Sequence, residues 1–171
     1  IAHPAFSLSG DGYVHVEDSD LINFPGNQFT IAAWIRPTKP QHVYVIVKND
    51  EQYGHAPYTL DIFNGVVRSF VRTNTDEQFV VEGKQPILKQ VWQHIAVTFT
   101  GDMLTVYYNG VKDGSIAVDR PLAIKKGDLA IGAKIHNYPS ASFEGGIDNV
   151  YIHDKALTAA QIKFLYEHYN Q

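Results

Sequence analysis

Apolar residues along this chain recur at every second position far more often than at helical spacing. "FTIAAWIRP" (29–37) sets Ile31, Ala33 and Ile35 on one face of an extended segment, and "WQHIAVTFT" (92–100) does the same with Ile95, Val97 and Phe99. Further β-branched and aromatic runs, among them "YVHVE", "VYVIVKN", "YTLDIF", "VVRSFVRT", "MLTVYYN" and "FEGGIDNVYIH", are bounded by Gly, Asn, Asp and Pro. Asn64-Gly65 and Asn109-Gly110 each stand between two such runs. Asn-Gly is the pair favoured where both turn residues need positive φ, so both sites fix antiparallel hairpins. About a dozen strands would curl or split a single open sheet, which predicts an all-β, two-sheet antiparallel sandwich.

One helical signal follows, near the C-terminus. Thr158 is placed to cap a helix, Gln161 to answer it three residues later, and Leu157 to pack on Ile162. Ala159, Ile162, Leu165 and Tyr166 then form an apolar stripe, predicted to lie on the sandwich and close one end of it.

A length of 171 residues with 44% hydrophobic content suits one substantial core, so residues 1–171 read as a single domain. The net charge of -4, with no basic cluster beyond Lys125 and Lys126, gives no footprint for nucleic acid or an anionic membrane. The absence of cysteine excludes disulfides and zinc-thiolate sites. No apolar run approaches the roughly 20 residues that span a bilayer. The start at Ile1, without a charged leader, reads as a mature piece or one module of a longer polypeptide.

Strict alternation in "GIDNVYIH" puts Asp148 on the face shared by Val150 and Ile152. If that face is the core, the carboxylate must be paired, hydrogen-bonded or bound to a cation, because a lone buried charge costs several kcal/mol.

The succession "FSLSGDGYVHVEDSDLINFPGNQFTIAAWIRP", "WQHIAVTFTGDMLTVYYNGVKDG", "LAIGA" and "FEGGIDNVYIHDKALTAAQIKFLY" resembles the laminin-G-like, concanavalin A-like lectin/glucanase superfamily. More narrowly it is similar to the pentraxin-like bacterial modules appended to secreted glycoside hydrolases and surface proteins. The resemblance spans Phe6 to Tyr166 and implies a jelly roll whose first and last strands are neighbours. It also places Trp34 and Trp92 at positions where the family has packing tryptophans, which makes both core candidates.

That topology would bring the "SGDG" turn and the "PGNQ" loop to Asp148. Asp11, Asn27 and Asp148 then supply hard oxygen donors for a structural calcium. The turn reads Leu8-Ser9-Gly10 where the family tends to have Phe-Asp-Gly, and backbone N–H groups are the alternative partners for Asp148.

Relatives bind glycans on a concave sheet face. Asp61, Arg72 and Asn74 offer bidentate hydrogen bonding of the kind sugar hydroxyl pairs require. Tyr44, with Tyr53 and His55 in "KNDEQYGHAPY", and His136 with Tyr138 in "KIHNYPSAS", offer rings for the C–H faces. Asp61 and Arg72 pairing with each other across strands is the competing structural role.

The six Glu, at 17, 51, 77, 82, 144 and 167, form no Glu-x-Asp-x-x-Glu cluster of the kind related glucanases use. No nucleophile elbow or zincin helix is present either. The sequence therefore points to a non-catalytic carbohydrate-binding module of a secreted or cell-surface protein, with a structural calcium and a glycan as partner, beside other domains of a multidomain protein. An adhesion domain gripping protein, and a polysaccharide lyase or glycoside hydrolase, are the rival readings.

Overall fold

The computed structural model describes residues 5–50, 55–135 and 141–168. Among these residues, twelve strands form two six-stranded antiparallel sheets. In spatial order the first sheet is β1 (Phe6–Ser9), β12 (Glu144–His153), β3 (Phe29–Pro37), β8 (Gln93–Phe99), β9 (Met103–Tyr108) and β10 (Val111–Ala117). The second is β2 (Val14–Val16), β11 (Leu129–Ile131), β4 (His42–Lys48), β5 (Thr59–Phe63), β6 (Val66–Arg72) and β7 (Gln78–Pro86). β1 pairs with β12, so the first and last strands are neighbours, as the resemblance implies. Helix α1 (Ala159–Glu167) follows β12. Among the described residues, no helix is long and apolar enough to cross a membrane.

The inner faces meet in one apolar layer. The alternating sets Ile31, Ala33, Ile35 and Ile95, Val97, Phe99 face Leu60, Ile62, Val67 and Val71 across it, all buried. Near one end Phe24, Phe29 and Tyr58 cluster with ring centroids 4.9 to 5.3 Å apart, and the Tyr58 hydroxyl donates to the Ile22 carbonyl at 2.7 Å. Buried rings with a satisfied hydroxyl combine large apolar burial with no polar penalty.

β12 departs from simple alternation, and this corrects the expectation for Asp148. Its pairing with β3 slips between Asp148 and Tyr151, and Asn149 sits at φ +44°, the left-handed region. The extra residue is a β-bulge, which reverses the side-chain phase along the strand. Upstream, Ile147 faces the inter-sheet core and Asp148 faces outward; downstream, Val150 and Ile152 face the core and Tyr151 faces outward. Asp148 therefore does not share a face with Val150 and Ile152. It is 8% exposed and accepts the backbone N–H of Asn149 at 2.7 Å, the kind of partner held open as the alternative to a cation.

The capping box at Thr158 and Gln161 is formed as expected, with Leu157 packed in the same cluster as Ile162. The helix does not close an end of the sandwich. It lies on the outer face of the first sheet, over the cross-strand row Tyr151, Ala32, Ala96 and Tyr107, where the two alanines leave room for Ile162 and Leu165. The next row runs Asp148, Trp34, His94, and Tyr166 stacks on Trp34 at 5.5 Å. Trp92 packs against Gly146, where a Cβ would stand 2.7 Å from the indole. Both tryptophans are thus half-buried packing residues outside the inter-sheet core, correcting the core assignment.

Two outcomes follow. Asn149→Val should cost about 1–3 kcal/mol in urea unfolding, because a β-branched residue resists the left-handed region, whereas Asn149→Gly should stay within about 1 kcal/mol. His94 is 2% exposed and burial lowers its pKa to about 4. The unfolded chain then binds the proton first, so stability is complete above pH ~6.5 and falls as pH drops toward about 4, by at most about 3 kcal/mol. A His94→Phe variant should lose that slope in thermal melts across the same range.

Candidate functional site

A cavity of about 330 Å³ opens at one end of the sandwich, lined by His55, Thr73, Asn74, Asp76 and Lys125. Its walls come from the segment leading into β5, from the β6–β7 turn and from the chain ahead of β11. The turn is held firmly: the Thr73 N–H bonds to Glu77 O at 2.9 Å, Asp76 takes φ +64°, and Asn74 N–H bonds to Pro121 O at 2.9 Å. Arg120 braces it from outside, 3.0 Å from Thr75 Oγ1 and 2.9 Å from Glu77. Such bracing leaves the Asn74 side chain exposed on a fixed backbone, the arrangement a binding loop needs.

Charges around the cavity are mixed. Asp76 lies 4.0 Å from His55 and 3.5 Å from Arg72, whose Nη1 also donates to the Asp76 carbonyl at 3.0 Å. Lys125 reaches Asp50 at 3.8 Å. Nearby, burial and then the positive charge of Arg72 hold the Lys134 ammonium below its ordinary pKa.

The outer face of the second sheet adjoins this end. Val47, Ala56 and Phe70 form a small apolar cluster there, with half-buried Tyr44 against it. Asp61 lies beside them at 0% exposure, and both its oxygens are taken by Arg68, from Nε and Nη2 at 2.8 Å each. Desolvation pushes the Asp61 carboxyl up, against the pull of the Arg68 fork. The Arg68 guanidinium also stands 4.1 Å over the Phe63 ring. Asp61 is therefore committed to Arg68, and the Asp61–Arg72 pairing is not formed.

Of the residues expected to grip a ligand, the fold brings His55 and Asn74 to one cavity, with Arg72 bound to its Asp76. Tyr44 and Asp61 stand on the adjoining sheet face. Tyr53, His136 and Tyr138 lie outside the described residues. Asp76 and Lys125 were not among the expected ligand residues, and Arg68 was not expected as the partner of Asp61, although the Asn64-Gly65 turn contains that signal: pairing 63 with 66 sets 61 opposite 68.

The proposed calcium ligands do not converge. Asp11 accepts the Ser9 hydroxyl, and Ser9 pairs opposite Glu144 at one end of β12. Asn27 accepts the Leu122 N–H at 2.8 Å and donates to Gly101 O at 3.4 Å, just ahead of β3, whose Thr30 pairs with His153 at the other end. At about 3.3 Å per residue those ends lie roughly 25 Å apart. Asp148 sits between them, on the outer face. Among the described residues, no group of three or more His, Cys, Asp or Glu is placed to hold a metal. The buried cation here is Lys48, 1% exposed, whose ammonium meets Asp18 at 2.7 Å and also the Gly127 carbonyl.

Two facing six-stranded antiparallel sheets with neighbouring terminal strands define a lectin-type jelly roll. The chain belongs to the concanavalin A-like lectin/glucanases superfamily, whose family model matches residues 8–163. No curated protein matches it. Among solved structures, it is similar to the native heptameric SAP-like pentraxin from Limulus polyphemus, with a TM-score of 0.68 and 20% identity over 82% of this chain and 70% of that one. The CBM40 of the Ruminococcus gnavus IT-sialidase, bound to α2,3 sialyllactose, gives a TM-score of 0.72 and 15% identity over 96% and 97%. Domain 4 of AbnA, a GH43 extracellular arabinanase from Geobacillus stearothermophilus in complex with arabinotriose, gives 0.63 and 21% over 95% and 76%. Toxin binding domains of the same fold are longer, and the chain spans 46% and 43% of two of them.

The register yields a test of the calcium constellation. One ion shared by Asp11 and Asp148 would couple them strongly, whereas the observed separation predicts additive effects. An Asp11→Ala/Asp148→Ala double-mutant cycle, read by urea unfolding with and without calcium, should give a coupling within about 0.5 kcal/mol.

Proposed function

We propose that this chain is a non-catalytic carbohydrate-binding module of a secreted or cell-surface protein, and that its glycan site is the cavity at the His55–Asn74 end of the sandwich. The observation that carries the reading is the combination at that cavity: a braced turn presenting Asn74 and Asp76, a facing His55, and Lys125. Donors and acceptors of both signs at fixed positions suit neighbouring sugar hydroxyls. The apolar strip of Tyr44 and Phe70 on the adjoining face extends the surface on which a longer glycan would lie. Neighbours of the same fold whose structures hold sialyllactose and arabinotriose support a glycan as ligand and an extracellular setting.

Binding without turnover is favoured by what occupies the carboxylates. Glycoside cleavage needs two carboxyl groups about 5–9.5 Å apart and free to exchange protons. Asp76 is engaged by Arg72 and faces His55, and Asp50 faces Lys125. Asp61 is locked into the Arg68 fork. Affinity is modest on this reading, because an open cavity leaves much of a sugar hydrated.

A glycan array carrying sialylated and arabinose oligosaccharides, followed by calorimetry on the hits, tests the reading. His55→Ala and Asn74→Ala should each weaken binding by about five- to twentyfold, the worth of one or two hydrogen bonds, with the melting temperature unchanged. Retention of full affinity by both variants, or release of reducing or unsaturated products from a hit, overturns it.

A further inference from the structure

A second cavity, of about 300 Å³, lies on the opposite side of the molecule, between α1 and the outer face of the first sheet. Ala32 and Val150 line it, with Trp34 and Phe164 supplying rings and Asn149 and His168 also at its margin. Phe164 and His168 stack on each other at 3.8 Å and 20°, and Phe164 is 58% exposed. Such an apolar, ring-lined cleft falls at the lower end of the size range of small-molecule sites, roughly 300–1,000 Å³.

One polar group in it is unsatisfied. His94 lines the cavity at 2% exposure, and among the described residues its Nδ1 is buried without a hydrogen-bond partner. Native interiors rarely leave such an atom alone, since stranding it costs about 1–3 kcal/mol. The rings around it are Trp34 on the sheet, at 5.6 Å between centroids, and Tyr166 on α1, at 6.2 Å. The imidazole is neutral near pH 7 because burial opposes its charge. Neutral imidazole has one donor and one acceptor nitrogen, and a hydroxyl can answer either.

We propose that the cleft between α1 and the first sheet is a binding site for a small neutral phenol, its ring stacked among Trp34 and Phe164 and its hydroxyl bonded to His94 Nδ1. Each half of that ligand answers a separate feature. Ring faces reward a flat aromatic body, and the orphan nitrogen rewards one hydroxyl at its rim. A charged ligand is disfavoured, because the walls are mostly apolar and burial keeps His94 neutral. The site is independent of the glycan cavity, so either stands if the other fails.

Titration of the full chain with phenol, and separately with toluene, followed by NMR of the Trp34 indole, the His94 ring and the α1 amides, is the test. Phenol should produce saturable shifts confined to those groups, and toluene should bind about tenfold more weakly, the worth of one hydrogen bond. His94→Phe keeps an aromatic lining but removes the partner nitrogen, and should abolish the preference for phenol. Phe164→Ala, at an exposed position that leaves folding intact, should weaken both ligands by about fivefold or more. Unsaturable shifts scattered over the surface, equal affinity for phenol and toluene, or no effect of Phe164→Ala overturns the proposal.

Discussion

The bulge at Asn149 is the constraint on which the two-faced character of the first sheet depends. β12 lies between β1 and β3, so any error in its phase would propagate to both neighbours. A strand of strict alternation could bury either Ile147 or the Val150–Ile152 pair, but not both, since they differ in parity. One extra residue in the left-handed region resolves the conflict and turns Asp148 and Tyr151 outward together. The outward row then meets the helix. Tyr151 packs beneath α1, and Trp34, opposite Asp148, receives Tyr166.

The two outer faces consequently have different work to do. That of the first sheet is occupied by α1, docked through small residues at Ala32 and Ala96. That of the second sheet carries charges which neutralise one another in place: Asp61 with Arg68 across adjacent strands, Arg72 with Asp76 along the chain. A charge removed from water must find such a partner, and once it has one it is poorly available to a ligand. Residues at the sheet centre are thereby spent on structure, while the braced turn beyond β6 presents the exposed side chain of Asn74.

Much of the fold was legible because periodicity and turn chemistry are local. The sandwich, the Asn-Gly hairpins and the capping box at Thr158 follow from a few adjacent residues each, and the family resemblance follows from their order. Asp148 was misread for a physical reason: a parity count assumes an unbroken strand, and a single left-handed residue reverses it. Asn is among the side chains that tolerate that conformation, so "DN" between apolar positions carried a weak hint. Asp11, Asn27 and Asp148 do not meet because the loops that carry the first two, read as neighbours, attach to opposite ends of a ten-residue strand. Of the ligand residues, His55 and Asn74 converge because Arg72 N–H bonds to Pro57 O, which extends the β5–β6 pairing past the strand end and brings both loops together.

One buried cation ties the edge of the second sheet together. Lys48 reaches inward from the end of β4 to Asp18 and the Gly127 carbonyl, joining three segments distant in sequence. Its ammonium lowers the pKa of Asp18 by direct hydrogen bonding, so the pair is strongest with the carboxylate ionised. An ammonium on a four-carbon stem offers three donors, and here it cross-links a carboxylate and a backbone carbonyl from separate loops. It sits at the β2–β11–β4 edge, beside the His15–Asp128 contact of 2.6 Å and away from Asp148. Side chains of the protein itself thus staple the β2–β11–β4 edge electrostatically, through Lys48–Asp18 and His15–Asp128.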